Sequence, residues 1–206
     1  MSAESIAVPY QTSGDERIQW IHARVDDVKG KNVIDLGCGS GFVCEELVKA
    51  GAATVYGCDI VPVTPGAGWQ FASCDLSHQD WADQLMGERH DTQAFHLITA
   101  FDIIEHLHNP VAFLQECSRL MGPDSKLVLT TPNTGSWERY LRPQNWSGVT
   151  DPQHYILFNR YSLQFLLHKC GFKVEALEAP IRALGPLNAV FPGWGGQIMV
   201  CASKRA

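Results

Sequence analysis

A glycine-rich segment between residues 33 and 42 carries the clearest chemical signal of the chain. An apolar run at residues 32–36 is followed by Gly37, Gly39 and Gly41, and a helical pattern begins directly behind them at Phe42. Glycine lets the backbone turn sharply and approach a ligand without interference from a Cβ atom. Open α/β sheets bind ligands at the carboxyl ends of their strands. The segment therefore predicts a cofactor-binding loop between a first strand and its helix.

Two classes of cofactor compete for this loop. The dinucleotide fingerprint GxGxxG, counted from Gly37, needs glycine at position 42, where this chain has Phe42. Asp35 stands two residues before the first glycine, and Cys38 lies inside the loop. This arrangement resembles motif I of the class I S-adenosylmethionine-dependent methyltransferases, in which an acidic residue precedes three alternating glycines. The glycine spacing thus favours S-adenosylmethionine over a dinucleotide.

The resemblance continues along the chain in the order of the family's motifs. Asp59 ends the second predicted strand, where the family has a carboxylate that accepts hydrogen bonds from the ribose hydroxyls. Its distance of 18 residues from Gly41 suits either cofactor. Asp75 follows the third strand, where the family contacts the adenine amino group. The resemblance implies S-adenosyl-L-methionine as cofactor, S-adenosyl-L-homocysteine as product, and cofactor-binding residues Asp35, Gly37, Cys38, Gly39, Gly41, Asp59, Ile60, Asp75, Leu76, Phe101 and Asp102.

Two histidines are candidates for the catalytic base. Methyl transfer requires the acceptor to be held near attack distance and, for a hydroxyl, to lose a proton. Histidine can take that proton near neutral pH. His106 follows the fourth predicted strand, and His154 lies in a segment whose pattern resembles a branch that includes ubiquinone-biosynthesis O-methyltransferases. An alternative role for His154 is to bond the backbone and hold its loop, and both roles stay open at this point.

No metal site is predicted. The pair His106 and His108 has the spacing of two metal ligands, but no third ligand follows at a useful distance in the sequence. Cys38 could be read as a nucleophile, yet methyl transfer needs no covalent enzyme intermediate. We therefore expect Cys38 to serve packing within the loop.

Alternating strand-like and helical patterns predict an α/β fold. The resemblance implies a single Rossmann-like, doubly wound, mostly parallel seven-stranded sheet with helices on both faces and an antiparallel last strand. We expect one domain over residues 1–206 that begins with a helical segment at 1–30. Residues 132–159 and the loop 179–196 are predicted to cover the substrate. Strands are expected at 32–36, 54–58, 69–74, 96–100, 126–130, 172–177 and 197–202, and helices at 42–50, 79–87 and 160–170, with a further helix capped by Asn109 and stopped at Gly122.

Composition argues against nucleic-acid binding, a disulfide framework and a membrane span. The net charge of −6 argues against nucleic acid, because neutralising phosphates requires basic patches. Seven cysteines, an odd number without a CxxC pair, favour reduced thiols and a cytoplasmic location. The chain has no apolar run of about 18 residues, so no membrane span is expected.

The combined signals favour methyl transfer to a small-molecule acceptor, with oxygen as the expected atom. Two alternatives remain. A regulatory or partner protein could bind S-adenosylmethionine without turnover, and an NAD-dependent oxidoreductase could use a related sheet. Neither the acceptor nor the oligomeric state is indicated by any motif, because a fold does not fix a function.

Overall fold

The computed structural model describes residues 14–25, 27–88, 93–181 and 193–205. Its centre is one sheet with the order β3-β2-β1-β4-β5-β7-β6. The first five strands pair in parallel, and β7 pairs antiparallel with both β5 and β6. This confirms the predicted seven-stranded sheet and its antiparallel last strand. The strands are β1 (Asn32–Leu36), β2 (Thr54–Asp59), β3 (Gln70–Ser73), β4 (Phe95–Phe101), β5 (Met121–Pro132), β6 (Phe172–Glu178) and β7 (Gln197–Lys204).

Helices cover both faces of the sheet because strand side chains alternate in direction. On β1, Val33 joins one buried cluster while Ile34 joins the other. Ile21 and Leu47, from the first two helices, pack into the cluster of Val33, whereas the other cluster takes Trp81 from the third helix. The doubly wound arrangement is thus confirmed. The helices are α1 (Gly14–Arg24), α2 (Phe42–Lys49), α3 (Trp81–Glu88), α4 (Pro110–Leu120), α5 (Trp137–Leu141), α6 (Ser147–Thr150) and α7 (Arg160–Lys169).

Helix α4 begins where the sequence predicts and ends earlier. The Asn109 side chain accepts a hydrogen bond of 3.1 Å from the Ala112 amide, and Pro110 occupies the first turn. The helix ends at Leu120, one residue earlier than a stop at Gly122 predicts, because Met121 already has extended backbone angles and opens β5. Strand β5 therefore begins before the predicted residue 126 and continues to Pro132.

The two segments predicted to cover the substrate differ in how much of them is described. Residues 132–159 contain α5, α6 and a short 3₁₀ turn at Pro143–Asn145. Much of the loop 179–196, together with residues 1–13 of the expected N-terminal segment, lies outside the described residues. Within the described ranges, no helix is long and apolar enough to cross a membrane. Whether either segment covers a substrate stays a prediction.

Candidate functional site

The glycine loop leaves the end of β1 and is tied to the neighbouring strand. The amides of Gly37 and Cys38 both donate to the Cys58 carbonyl, at 2.8 and 2.9 Å. Gly37, Gly39 and Gly41 all have positive φ, at 75°, 50° and 84°. These backbone angles favour glycine, because the left-handed region brings a Cβ atom too close to the following carbonyl. The sequence pattern of alternating glycines thus has a direct conformational cause.

The three glycines differ in which atoms surround them. A Cβ atom on Gly37 would lie 2.0 Å from Ile103 Cδ1, and one on Gly41 would lie 2.3 Å from the Trp69 ring. Gly39 has no atom within 4 Å of the same position. The Trp69 ring therefore excludes a side chain at Gly41. At Gly37 the Ile103 side chain would have to move and the positive φ disfavours other residues, while the space beside Gly39 is empty.

Asp59 joins the glycine loop to the end of β2. Its Oδ2 accepts a hydrogen bond of 2.9 Å from the Gly39 amide, and its Oδ1 accepts one of 2.9 Å from the Val61 amide. Ile60, beside it, is 65% exposed. At the end of β3, Asp75 accepts a hydrogen bond from the Ser77 amide at 2.9 Å. Both carboxylates are thus oriented by backbone amides at the carboxyl ends of adjacent parallel strands.

These strand ends open onto a cleft of about 490 Å³. Seven residues predicted for the site line it: Gly37, Asp59, Ile60, Asp75, Leu76, Asp102 and His106. The remaining predicted residues, Asp35, Cys38, Gly39, Gly41, Phe101 and His154, are not among its lining. The lining also includes Ile103, Leu107, Gln153 and Tyr155, which were not among the predicted site residues, and His108. The rings of His108 and Tyr155 lie 3.8 Å apart between centroids.

Asp35 lies buried in the sheet behind the loop. Its Oδ1 accepts a hydrogen bond of 2.6 Å from Thr99 Oγ1, and the residue is only 2% exposed. Burial raises the pKa of this carboxyl to about 7, although Thr99 and the Arg17 guanidinium act in the opposite direction. Arg17 itself lies over the Phe101 ring, 5.1 Å from its centroid. Its buried Nε has no hydrogen-bond partner within the described part of the chain.

Asp102 follows β4 in a strained conformation. Its φ of 55° makes it the one non-glycine residue with positive φ among those described. Such backbone strain is concentrated at functional sites. Two side chains hold its Oδ1, with Gln197 Nε2 at 2.6 Å and Thr130 Oγ1 at 3.0 Å. Burial raises the pKa of this carboxyl, and the two hydrogen bonds oppose that shift. Sequence reasoning missed Gln197, since it lies on the last strand, 95 residues away.

His106 and His154 lie together beside Asp102, with ring centroids 4.7 Å apart and an interplanar angle of 64°. His106 Nδ1 lies 3.2 Å from the Gln153 carbonyl oxygen, and His154 Nδ1 lies 3.3 Å from that of Gly148. Burial, and then the His154 ring, lower the pKa of His106. His106 borders the cleft, whereas the His154 side chain is only 6% exposed.

A third ionisable residue completes this group. Glu105 is 1% exposed, and burial, followed by the charge of Asp102, raises the pKa of its carboxyl to about 8. Glu105, His106 and His154 each offer a ligand atom, and these atoms all lie within 4.8 Å of one another. The spacing of His106 and His108 does not indicate this group, because Glu105 and His154 lie 49 positions apart. The group places two imidazole rings beside one buried carboxyl group.

Comparisons with known proteins agree with this arrangement. The family model described as "Methyltransferase domain" matches residues 12–177. A ubiquinone biosynthesis O-methyltransferase of Pseudomonas entomophila is 29% identical over 133 residues, covering 63% of this chain and 56% of that protein. The chain thus spans about half the length of the curated relatives it matches.

Solved structures show the same fold at low sequence identity. An S-adenosylmethionine-dependent methyltransferase from Mesorhizobium loti has a TM-score of 0.66 at 19% identity, over 93% of this chain and 99% of that chain. Magnesium protoporphyrin IX methyltransferase from Synechocystis, with bound S-adenosylhomocysteine, has a TM-score of 0.62 at 18% identity, over 93% and 81% of the two chains. The match of the family model over most of the chain, on this sheet and this glycine loop, shows that the protein belongs to the class I S-adenosylmethionine-dependent methyltransferases.

Proposed function

We propose that the chain transfers the methyl group of S-adenosylmethionine to an oxygen atom of a small-molecule acceptor. The observation that carries this proposal is the position of the two histidines, since His106 borders the cleft beside Asp102 and His154 lies directly behind it. The curated relatives named above as O-methyltransferases support the choice of oxygen. Among the residues that the structure describes, no lysine or arginine lines the cleft, which disfavours an acceptor that binds to those residues through an anionic group.

The order of the strands determines how the cofactor would lie. The sheet places β3, β2, β1 and β4 side by side, so Asp75, Asp59, the glycine loop and Asp102 follow one another along its carboxyl edge. Adenine would bind beside Asp75, the ribose beside Asp59, and the methionine end beside Asp102. Arg17 supplies a cation near that end, where the cofactor's carboxylate needs one. The methyl group would then face His106.

S-adenosylmethionine supplies an activated methyl group on a sulfonium, so the carbon–sulfur bond breaks as the carbon–oxygen bond forms. The protein has to orient the acceptor oxygen in line and exclude water. His106 and His154 assist the removal of the acceptor's proton. The lowered pKa of His106 keeps its ring neutral near pH 7, which is the state that can accept a proton or coordinate a ligand. His154 contributes by holding the His106 ring from the buried side.

Calorimetric titration tests the cofactor part of this proposal. The purified protein is titrated with S-adenosylmethionine, S-adenosylhomocysteine and NAD(H), alongside Asp59→Ala. Asp124→Ala removes the same charge from an exposed position in β5 and is the control. We expect micromolar binding of both adenosyl ligands, lost in Asp59→Ala and retained in Asp124→Ala. Binding of NAD(H) without either adenosyl ligand would instead support an oxidoreductase.

Turnover tests the remaining part. Release of S-adenosylhomocysteine is measured with phenols, vicinal diols, aliphatic alcohols, amines and carboxylic acids, for the wild type and for His106→Asn. Methyl transfer to oxygen predicts turnover with a hydroxyl compound. The rate should fall at least tenfold in His106→Asn, while the affinity for S-adenosylhomocysteine is unchanged. Turnover confined to amines would contradict the choice of oxygen. Tight cofactor binding without turnover across the whole panel would favour a regulatory or partner protein.

A further inference from the structure

We infer that Glu105, His106 and His154 form a binding site for a divalent metal ion such as Zn²⁺, Fe²⁺ or Mn²⁺. The ion would be held by one carboxylate oxygen and by one ring nitrogen from each histidine. The three ligand atoms already lie within 4.8 Å of one another. Ligand atoms sit about 2.0–2.2 Å from a zinc ion, which places them roughly 3.4 Å apart in a tetrahedral site. Small side-chain rotations would close the remaining distance.

The backbone brings these residues together before any ion binds. Glu105 and His106 belong to a 3₁₀ turn at Ile104–His106, directly after β4. The Glu105 carbonyl accepts hydrogen bonds from the amides of Tyr155 and Ile156, at 2.8 and 3.2 Å. His154 is therefore fixed to the turn by its own neighbours in the chain. A site whose ligands are positioned in this way loses less conformational entropy when it binds an ion.

Both imidazole rings have the orientation that metal ligands require. In metal sites, the histidine nitrogen that does not bind the ion usually donates to a carbonyl or carboxylate, which fixes the tautomer. Here Nδ1 of His106 lies 3.2 Å from the Gln153 carbonyl oxygen, and Nδ1 of His154 lies 3.3 Å from that of Gly148. With the Nδ1 atoms as donors, each Nε2 keeps a lone pair for coordination, and Asp151 Oδ2, 3.8 Å from the Nε2 of His154, is a further acidic group beside the site.

Glu105 provides a second and independent indication of a ligand. Both of its carboxylate oxygens are buried, and neither makes a hydrogen bond of normal geometry among the described residues, although the Thr131 hydroxyl lies nearby. A buried polar group without a partner is costly and calls for an explanation, such as a bound ion or water. Asp102 adds further negative charge next to it. A cation between Glu105 and the two rings would replace the carboxyl proton, which passes to solvent, and would be coordinated by the resulting carboxylate.

The ligand set indicates the class of ion and its role. Two imidazoles and one carboxylate suit Zn²⁺, Fe²⁺ or Mn²⁺ better than Ca²⁺, which prefers oxygen ligands. Three protein ligands leave at least one coordination position open, as catalytic metal sites do. His106 borders the cleft, so that position would face the acceptor. The role that follows rests on the proposed function: an acceptor hydroxyl coordinated to the ion would lose its proton to water more easily, and the histidines would assist deprotonation as ligands.

Metal titration tests the site without relying on activity. Protein treated with a chelator and dialysed is titrated calorimetrically with Zn²⁺ and with Mn²⁺. We expect one ion bound per chain with micromolar affinity or better, weakened at least tenfold in Glu105→Gln and in His154→Asn. His22→Asn removes an exposed histidine on α1 and should leave the affinity unchanged. Absence of saturable binding, or equal affinity in all variants, would overturn the site.

A Co²⁺ spectrum and a cofactor titration complete the test. Nitrogen and oxygen ligands give visible bands without the intense near-ultraviolet band of cobalt–thiolate bonds, and such a thiolate band would assign the ion to cysteines and contradict the proposal. Each variant must still bind S-adenosylhomocysteine, which shows that it is folded. If Glu105→Gln does not fold, His154→Asn alone provides the test. If the wild type does not bind S-adenosylhomocysteine, the proposed function is contradicted. If it binds S-adenosylhomocysteine but no metal ion, only the metal site is contradicted. Turnover unaffected by the chelator would overturn the catalytic role of the ion.

Discussion

Replacing Gly39 with alanine should weaken cofactor binding while leaving the fold intact. Gly39 has the open surroundings described above, and its amide donates to Asp59, the expected ribose ligand. A methyl group at this position would therefore project into space that the protein leaves empty and that the cofactor is proposed to use. The same change at Gly41 would bring Cβ to 2.3 Å from the Trp69 ring and disturb the core instead.

The cost to stability follows from the backbone angle. The φ of 50° at Gly39 lies in the left-handed region, which costs a residue with a Cβ atom about 1–2 kcal/mol. Alanine also restricts the unfolded chain, which offsets about 0.4–1 kcal/mol of that cost. The net loss of unfolding free energy should be about 1 kcal/mol. For the cofactor, displacement by one methyl group should raise the Kd at least tenfold, or about 1.4 kcal/mol.

Gly30→Ala is the matched control for this experiment. Gly30 has a φ of 71°, also has no atom within 4 Å of an added Cβ, and precedes β1 at the opposite end from the glycine loop. Both variants should show about the same loss of unfolding free energy in urea, because both place alanine in the left-handed region of backbone angles. Only Gly39→Ala should lose affinity for S-adenosylhomocysteine in calorimetric titration. Equal affinities in the two variants would refute the placement of the cofactor against the loop.

Two further changes test the buried polar groups. In the ligand-free protein, Asp35 keeps its proton up to a pKa of about 7, whereas in the unfolded chain it loses the proton near 3.8. The free energy of unfolding should therefore fall by about 4 kcal/mol as the pH rises from 3.8 to 7. Asp35→Asn should abolish that decline in urea unfolding between pH 4 and 8, and parallel pH profiles of the two proteins would contradict it. Asn133→Ala should cost about 3 kcal/mol, because the Asn133 amide donates to the Gly193 and Gly195 carbonyls at 2.9 and 2.8 Å from a fully buried position. Asn109→Ala, which removes a single cap bond, should cost only about 1 kcal/mol, and equal losses would argue against the buried role of Asn133.

Local patterns were sufficient to predict the strands and the residues that meet at the carboxyl edge of the sheet. The strands begin and end within one or two residues of their predicted bounds except β5, whose start at Met121 is earlier than expected. Gly37, Asp59 and Asp75 could be predicted to lie at one cleft because each stands at or just after the end of a strand, and parallel strands bring such positions to one edge. Periodicity and glycine spacing extend over a few residues, so they remain visible in the linear chain.

The acceptor end of the cleft depended on tertiary structure. Glu105 became a candidate ligand only when the 153–156 segment placed His154 against it. Arg17 and Gln197 reach Phe101 and Asp102 from the two ends of the chain. Asp35, conversely, has the sequence position of a ligand residue but is buried by β4. Contacts between residues 50 to 100 positions apart leave no periodic trace in a single sequence, since they are set by how helices and loops pack on the sheet.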